Sequence, residues 1–358
     1  VQITVDTKLP TLTISSTPSA LKVGETAAVS FAVSEPSTNF QVDDIIVTGG
    51  SLSGFSGAGT QYSAVFTPSV ESTTTGQLAV GVNKFSDAAG NPNAMANLTL
   101  LVDTQRPTVS VSADKTSLQA GEVANLTFTL SEAALSLDLL KLQVSGGSIS
   151  ALTGSGVTRR AVFTPTAQSL GTATIVLGNG FITDTAGNLN VDGADTNNAL
   201  SIPFQTIVPA VAIATNKTQL NWGESAQLTF TLSEPSSNFE GSDLIVSGGS
   251  INNFSGSGTA YSATFTPTPQ LTPSSKLSVN GSVQIPSGAF TNAAGNPNLD
   301  GAEADNRTSF VIDTFSYSLS AAASSTNEGT DARFLLNTSN LQPGTVIGFT
   351  VEAGGGFE

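Results

Sequence analysis

The chain has 358 residues with no cysteine and no histidine, which removes disulfides, thiol nucleophiles, serine–histidine triads and thiolate or imidazole metal sites. Its formal net charge of −15 excludes an electrostatic nucleic-acid or anionic-membrane binder, and leaves oxygen-ligated hard cations such as Ca²⁺ as the metals it can hold. Only 11% of residues are charged and 39% are apolar, so the composition is that of a chain that packs a core rather than a disordered one. There is no apolar run long enough to span a membrane and no visible signal peptide.

In chain order, Val1-Gln-Ile-Thr-Val-Asp6-Thr7 matches Leu98-Thr-Leu-Leu-Val-Asp103-Thr104. Residues 1–5 are therefore expected to be the last strand of a preceding module, and the chain a window cut from a longer array. Three modules follow, at 6–103, 104–206 and 207–313. Phe31-Ala-Val-Ser-Glu35 recurs as Phe128-Thr-Leu-Ser-Glu132 and Phe230-Thr-Leu-Ser-Glu234. Phe66-Thr-Pro68 recurs at 163–165 and 265–267, and Ala89-Gly90-Asn91 at 186–188 and 294–296. A period of roughly 100 residues carried by several landmarks in fixed order marks a repeat architecture. The remaining segment, 314–358, has a different pattern and reads as part of another β-module.

Inside each module the apolar period is two: Leu126, Phe128 and Leu130 alternate with Thr127 and Thr129, as a strand with one buried face requires. Glycine, proline and asparagine clusters break such strands about every ten residues, giving about seven per module. The fold class is all-β: tandem immunoglobulin-like β-sandwich modules in a linear array.

The motifs Val102-Asp-Thr-Gln-Arg-Pro107, Leu126–Glu132, Gly54–Pro68 and Phe85-Ser-Asp-Ala-Ala-Gly-Asn91, whose order repeats three times along the chain, resemble the bacterial immunoglobulin-like repeats of giant secreted surface adhesins of the repeats-in-toxin and biofilm-associated type. The tail from Asn327-Glu-Gly resembles the start of a Calx-β-like module. The resemblance implies extracellular spacer modules on a bacterial cell surface, stiffened by Ca²⁺ between an anchoring end and a ligand-binding tip.

In such a sandwich the B–C and F–G loops lie at the pole where the preceding module enters. Glu35, Glu132 and Glu234 close strand B, Asp87 and Asp184 follow strand F, and Asp6 and Asp103 sit in the incoming linkers. Two junction sets are expected: Asp6, Glu35 and Asp87, then Asp103, Glu132 and Asp184. Clustered carboxylates repel unless a cation neutralises them, and Ca²⁺ accepts six to eight oxygens. At the third junction Gln205 and Asn292 replace two of the acids, so Asp300, Glu303 and Asp305 are candidates to restore the charge beside Glu234. Asp313 occupies the linker position of the next junction. The competing reading is that these acids are turn residues capping their own backbone.

No nucleophile, acid–base pair or phosphate loop recurs, so no enzymatic activity is expected. Asp43-Asp44 reads as a surface turn and the Gly-rich stretches as hairpins. Trp222 and the Tyr62/Tyr261 pair read as packing residues rather than a sugar platform. The function expected is a structural spacer of a large adhesin, whose partners are neighbouring modules and a possible polysaccharide or protein ligand. The alternatives are a sugar- or host-protein-binding region on the same fold, and an accessory region of a secreted polysaccharide-degrading enzyme.

Overall fold

A computed structural model describes residues 5–221, 223–268, 271–273, 278–313, 315–321 and 333–339. Within these, no α-helix forms; the regular elements are strands and four short 3₁₀ turns. Module 1 has seven strands: β1 (Leu12–Thr17), β2 (Ala20–Leu21), β3 (Ala27–Ser37), β4 (Ile45–Thr48), β5 (Gly50–Pro68), β6 (Gly76–Val80) and β7 (Ala96–Val102). One sheet has the order β1-β3-β5 and the other β2-β7-β6-β4, the latter opening with the parallel pair β2–β7. This is the two-sheet arrangement of an immunoglobulin-like sandwich. Strand β3 shows why the period of two folds this way. Ala27, Val29, Phe31 and Val33 are buried in the core while Ala28, Ser30 and Ser34 face out.

Module 2 repeats the plan with β8 (Val109–Ala113), β9 (Leu118–Gln119), β10 (Ala124–Leu130), β11 (Ala134–Leu137), β12 (Leu142–Ser145), β13 (Gly147–Ile149), β14 (Thr158–Pro165), β15 (Leu170–Leu177), β16 (Ile182–Asp184) and β17 (Ala199–Gln205). Its sheets are β13-β14-β10-β8 and β12-β15-β17-β9, with the small pair β11–β16 beside them. Module 3 comprises β18 (Val211–Thr215), β19 (Gln219–Asn221), β20 (Ala226–Ser236), β21 (Ile245–Ser247), β22 (Gly249–Pro267), β23 (Leu271–Pro273), β24 (Ser278–Gln284) and β25 (Arg307–Asp313). Its sheets are β18-β20-β22 and β19-β25-β24-β21. Each module has its own apolar cluster, centred on Phe31 and Phe66, on Phe128 and Phe163, and on Phe230 and Phe265.

Two repeated motifs are explained by one contact. In Gly-Gly-Ser the first glycine has positive φ, +71° at both Gly49 and Gly248, a conformation glycine adopts without strain. The second glycine lies flat on the phenylalanine of Phe-Thr-Pro: a Cβ at Gly249 would fall 2.5 Å from Phe265 Cζ and 2.6 Å from Thr266 O. Gly249→Ala is therefore expected to destabilise module 3 by about 1–3 kcal/mol, the usual cost of overpacking. A denaturation midpoint equal to that of the parent chain contradicts this packing.

Module 2 departs from its neighbours where the sequence does. Tyr62 and Tyr261 are buried, pack edge-on against Phe40 and Phe239, and donate their hydroxyls to Ser37 O and Ser236 O. Those bonds hold β3 and β20 extended to Ser37 and Ser236. Arg159 takes the tyrosine position in module 2, and β10 stops at Leu130. Glu132 consequently lies beyond its strand, whereas Glu35 and Glu234 lie within theirs.

Beyond module 3, β26 (Phe315–Ala321) pairs antiparallel with β27 (Phe334–Ser339), and β23 pairs parallel with β26. The Calx-β-like signature at Asn327, residues 1–4 of the strand expected at 1–5 and Trp222 lie outside the described residues, and Val5 is in no strand.

Candidate metal centre

Residues 103–109 are pinned by both modules that they join. Thr104 is buried; its amide donates to Ser72 O and its hydroxyl to Ser69 O, in the loop between β5 and β6. From module 2, Asn188 Nδ2 donates to Asp103 O and Gln105 O, Ser131 Oγ accepts from Thr108 N, and Asp192 Oδ2 accepts from Val109 N. Asn188 Oδ1 accepts from Val23 N in the turn after β2. The loop between β15 and β17 is thus joined to both the linker and module 1.

Asp184 organises that loop. Its Oδ1 accepts from Ala186 N and Asn188 N, and its Oδ2 accepts from Asn188 Nδ2. Asp87 does the same for Ala89 N, Asn91 N and Asn91 Nδ2 in module 1. Both acids therefore do what turn residues do. They also stand in clusters: one ligand oxygen from each of Asp6, Glu35 and Asp87, and likewise from Asp103, Glu132 and Asp184, lies within 4.8 Å of the others in its set. At that separation the ionised oxygens of each set repel one another.

The two sets differ in how that repulsion is relieved. In both an asparagine amide bonds the aspartate, Asn91 holding the Asp87 carboxyl below its ordinary range, but only in the first does a cation stand nearby, Lys8 Nζ at 3.2 Å from Glu35 Oε1. Among the described residues no lysine or arginine pairs with Asp103, Glu132 or Asp184. Burial, and then the Asp184 charge, push the Asp103 carboxyl up; burial, Asp184 and Asp103 push Glu132 up. The second set is the better cation trap, because its charge has no internal counterion.

A pH dependence follows. A carboxyl raised on folding binds its proton more tightly in the folded state, so without a cation its penalty appears as pH rises through the raised value. A bound cation needs the ionised form and reverses that slope. The rise in melting temperature produced by Ca²⁺ is expected to shrink between pH 7 and about pH 4, the ordinary carboxylate range. An equal rise at both ends would contradict the involvement of Asp103 and Glu132.

The third position is different. Glu234 has no acidic cluster around it among the described residues. Asp300 does not restore one. Its Oδ2 accepts from Val211 N and its Oδ1 from Asn298 Nδ2, as Asp192 does for Val109 N and Asn190 Nδ2. Asp300 is a loop-capping acid committed to its own module, and Glu303 and Asp305 are likewise in no cluster with Glu234. Asp313 closes β25 opposite Asn221.

Asn91, Asn188 and Asn296 are landmarks of the repeat whose hydrogen-bonding role the sequence motif does not itself assign. The signal was present: an asparagine four residues after the Asp or Asn of each loop. A polar side chain held at one offset in three modules, beside a small turn, marks a residue hydrogen-bonded into place.

The family model of the bacterial Ig-like domain matches residues 6–100, 103–201 and 205–312. No curated protein matches the sequence. Among solved structures the chain is similar to the Escherichia coli adhesin FdeC, at 16% identity over 85% of this chain and 96% of that one, with a TM-score of 0.35. It is also similar to invasin, a bacterial integrin-binding protein, at 13% identity over 92% and 67% with a TM-score of 0.32. Titin domains I67–I69 match at 9% identity over 85% and 97% with a TM-score of 0.36.

Proposed function

The chain belongs to the bacterial Ig-like domain family, and on that footing we propose that it is a spacer segment of a bacterial surface adhesin whose junctions are stiffened by Ca²⁺. The observation that carries this is the Asp103–Glu132–Asp184 pocket, built on a linker that both flanking modules grip. The donor set is all carboxylate oxygen, the chemistry of a hard cation. Asp103, Glu132 and Asp184 would hold the ion there, and it would neutralise three charges that no lysine or arginine among the described residues pairs with. Asp6, Glu35 and Asp87 would hold a second, in competition with Lys8.

The role is mechanical rather than catalytic. Each module repeats one sandwich, and the repeated polar residues serve turns and linkers. The setting proposed is extracellular, on the cell surface, with the ligand of the whole adhesin bound elsewhere or by other modules. Calorimetric titration of the chain with Ca²⁺ tests the reading. Saturable binding in about the 10⁻⁴–10⁻³ M range of extracellular modules is expected, reduced by one site in Asp103→Asn. Absence of binding, or a titration unchanged by that substitution, overturns it.

A further inference from the structure

The three modules present the same pocket with two different charge states. Its positions are Asp6, Glu35 and Asp87 in module 1, Asp103, Glu132 and Asp184 at module 2, and Gln205, Glu234 and Asn292 at module 3. We infer that the Glu234 pocket is a self-neutralised copy, in which the amides of Gln205 and Asn292 occupy the place of the cation and no ion is needed. This rests on the reading of the two carboxylate pockets as cation sites.

The geometry follows the exchange atom by atom. Asn292 Oδ1 accepts from Ala294 N at 3.1 Å and Asn296 N at 2.9 Å, as Asp184 Oδ1 accepts from Ala186 N and Asn188 N, both at 2.9 Å or less. The turn is therefore unchanged. The second atom differs: Asp184 Oδ2 is an acceptor, whereas Asn292 Nδ2 is a donor, bonded to Glu234 Oε2 and to Ile207 O. Gln205 Nε2 approaches the same carboxylate at 3.4 Å. Asn296, freed from holding an aspartate, donates to Gln205 O, Gln205 Oε1 and Ile207 O.

Two substitutions have thus turned two negative neighbours of a glutamate into two donors. The pocket keeps one charge instead of three, and that charge is hydrogen-bonded, as a buried or half-buried carboxylate requires. Replacing only one of the acids would leave the other facing Glu234 as a repulsive pair, so the two changes function together. The consequence is a chain whose calcium response is confined to residues before Gln205, with a linker start at 205–207 that is held in chelator as well as in Ca²⁺.

Counting bound Ca²⁺ on the full chain by equilibrium dialysis tests this. The parent chain is expected to bind two ions, Glu132→Gln one, and Glu234→Gln still two. The double variant Gln205→Asp/Asn292→Asp is expected to bind three, and in chelator to melt below the parent chain because the restored carboxylates repel. Three ions on the parent chain, or loss of an ion in Glu234→Gln, overturns the inference alone, and the latter holds even where the double variant fails to fold. A folded double variant that binds two ions and melts like the parent in chelator also overturns it. A parent chain that binds none overturns the cation reading and this contrast with it.

Discussion

Asn188→Ala is expected to destabilise module 2 by about 2–4 kcal/mol, far more than its position in a surface loop suggests. The amide is almost fully buried and serves five partners: Asp103 O, Gln105 O, Asp184 Oδ2, and, through Oδ1, Val23 N, with its own backbone amide on Asp184 Oδ1. A typical net hydrogen bond is worth about 1 kcal/mol, and each buried group left without a partner costs about 1–3 kcal/mol. Alanine keeps the backbone bond and loses the other four. The loss also removes the donor that partly neutralises Asp184, so the variant is expected to depend more steeply on Ca²⁺ than the parent chain. Asn91→Ala in module 1 is expected to cost less, because Asn91 is only half-buried and its amide, among the described residues, donates to Asp6 O and Asp87 Oδ2. Chemical denaturation of the two variants checks the order. Equal losses, or a loss below 1 kcal/mol for Asn188→Ala, would contradict the role given to this side chain.

Saturating Ca²⁺ is expected to raise the melting temperature of modules 1 and 2 by about 10 °C or more over the value in chelator. A ligand that binds only the folded state at a hundredfold its dissociation constant stabilises by about 2.7 kcal/mol. For a domain near 100 residues each kcal/mol shifts the transition by about 4–8 °C. The shift is expected to be larger for module 2 than for module 1, where Lys8 already pairs with Glu35. Transitions that coincide in Ca²⁺ and in chelator would mean that Asp87 and Asp184 serve their turns and nothing more.

The architecture was legible because its signals are redundant. The alternation around Phe128 recurs at Phe31 and Phe230, and only a strand with one core face satisfies it three times. The convergence of Asp103, Glu132 and Asp184 was also legible, since topology alone brings the loops after strands B and F to the pole that the linker enters. Two things were not. Asp300 reads as a spare carboxylate in an acidic loop, yet it is spent on Val211 N and Asn298; which turn of a loop faces inward depends on backbone geometry that the composition does not carry. In the sequence, Gln205 and Asn292 signal only a loss of charge beside Glu234. That an amide can reverse the polarity of one atom and keep the other becomes visible only when Asn292 is seen bonded on both sides.

The absence of cysteine makes the decisive measurement simple, because two introduced thiols can be labelled without background. Thr13 on β1 and Ser112 on β8 are exposed outward-facing strand residues in modules 1 and 2. With spin labels at Thr13→Cys and Ser112→Cys, electron–electron distance measurements should give a narrow distribution in Ca²⁺ and a broad one in chelator. Adding Asp103→Asn should leave the distribution broad, or insensitive to Ca²⁺, while both modules stay folded. A distribution equally narrow in Ca²⁺ and in chelator would show that Asn188 and the linker contacts alone fix the junction, and that the carboxylate pocket does not stiffen it.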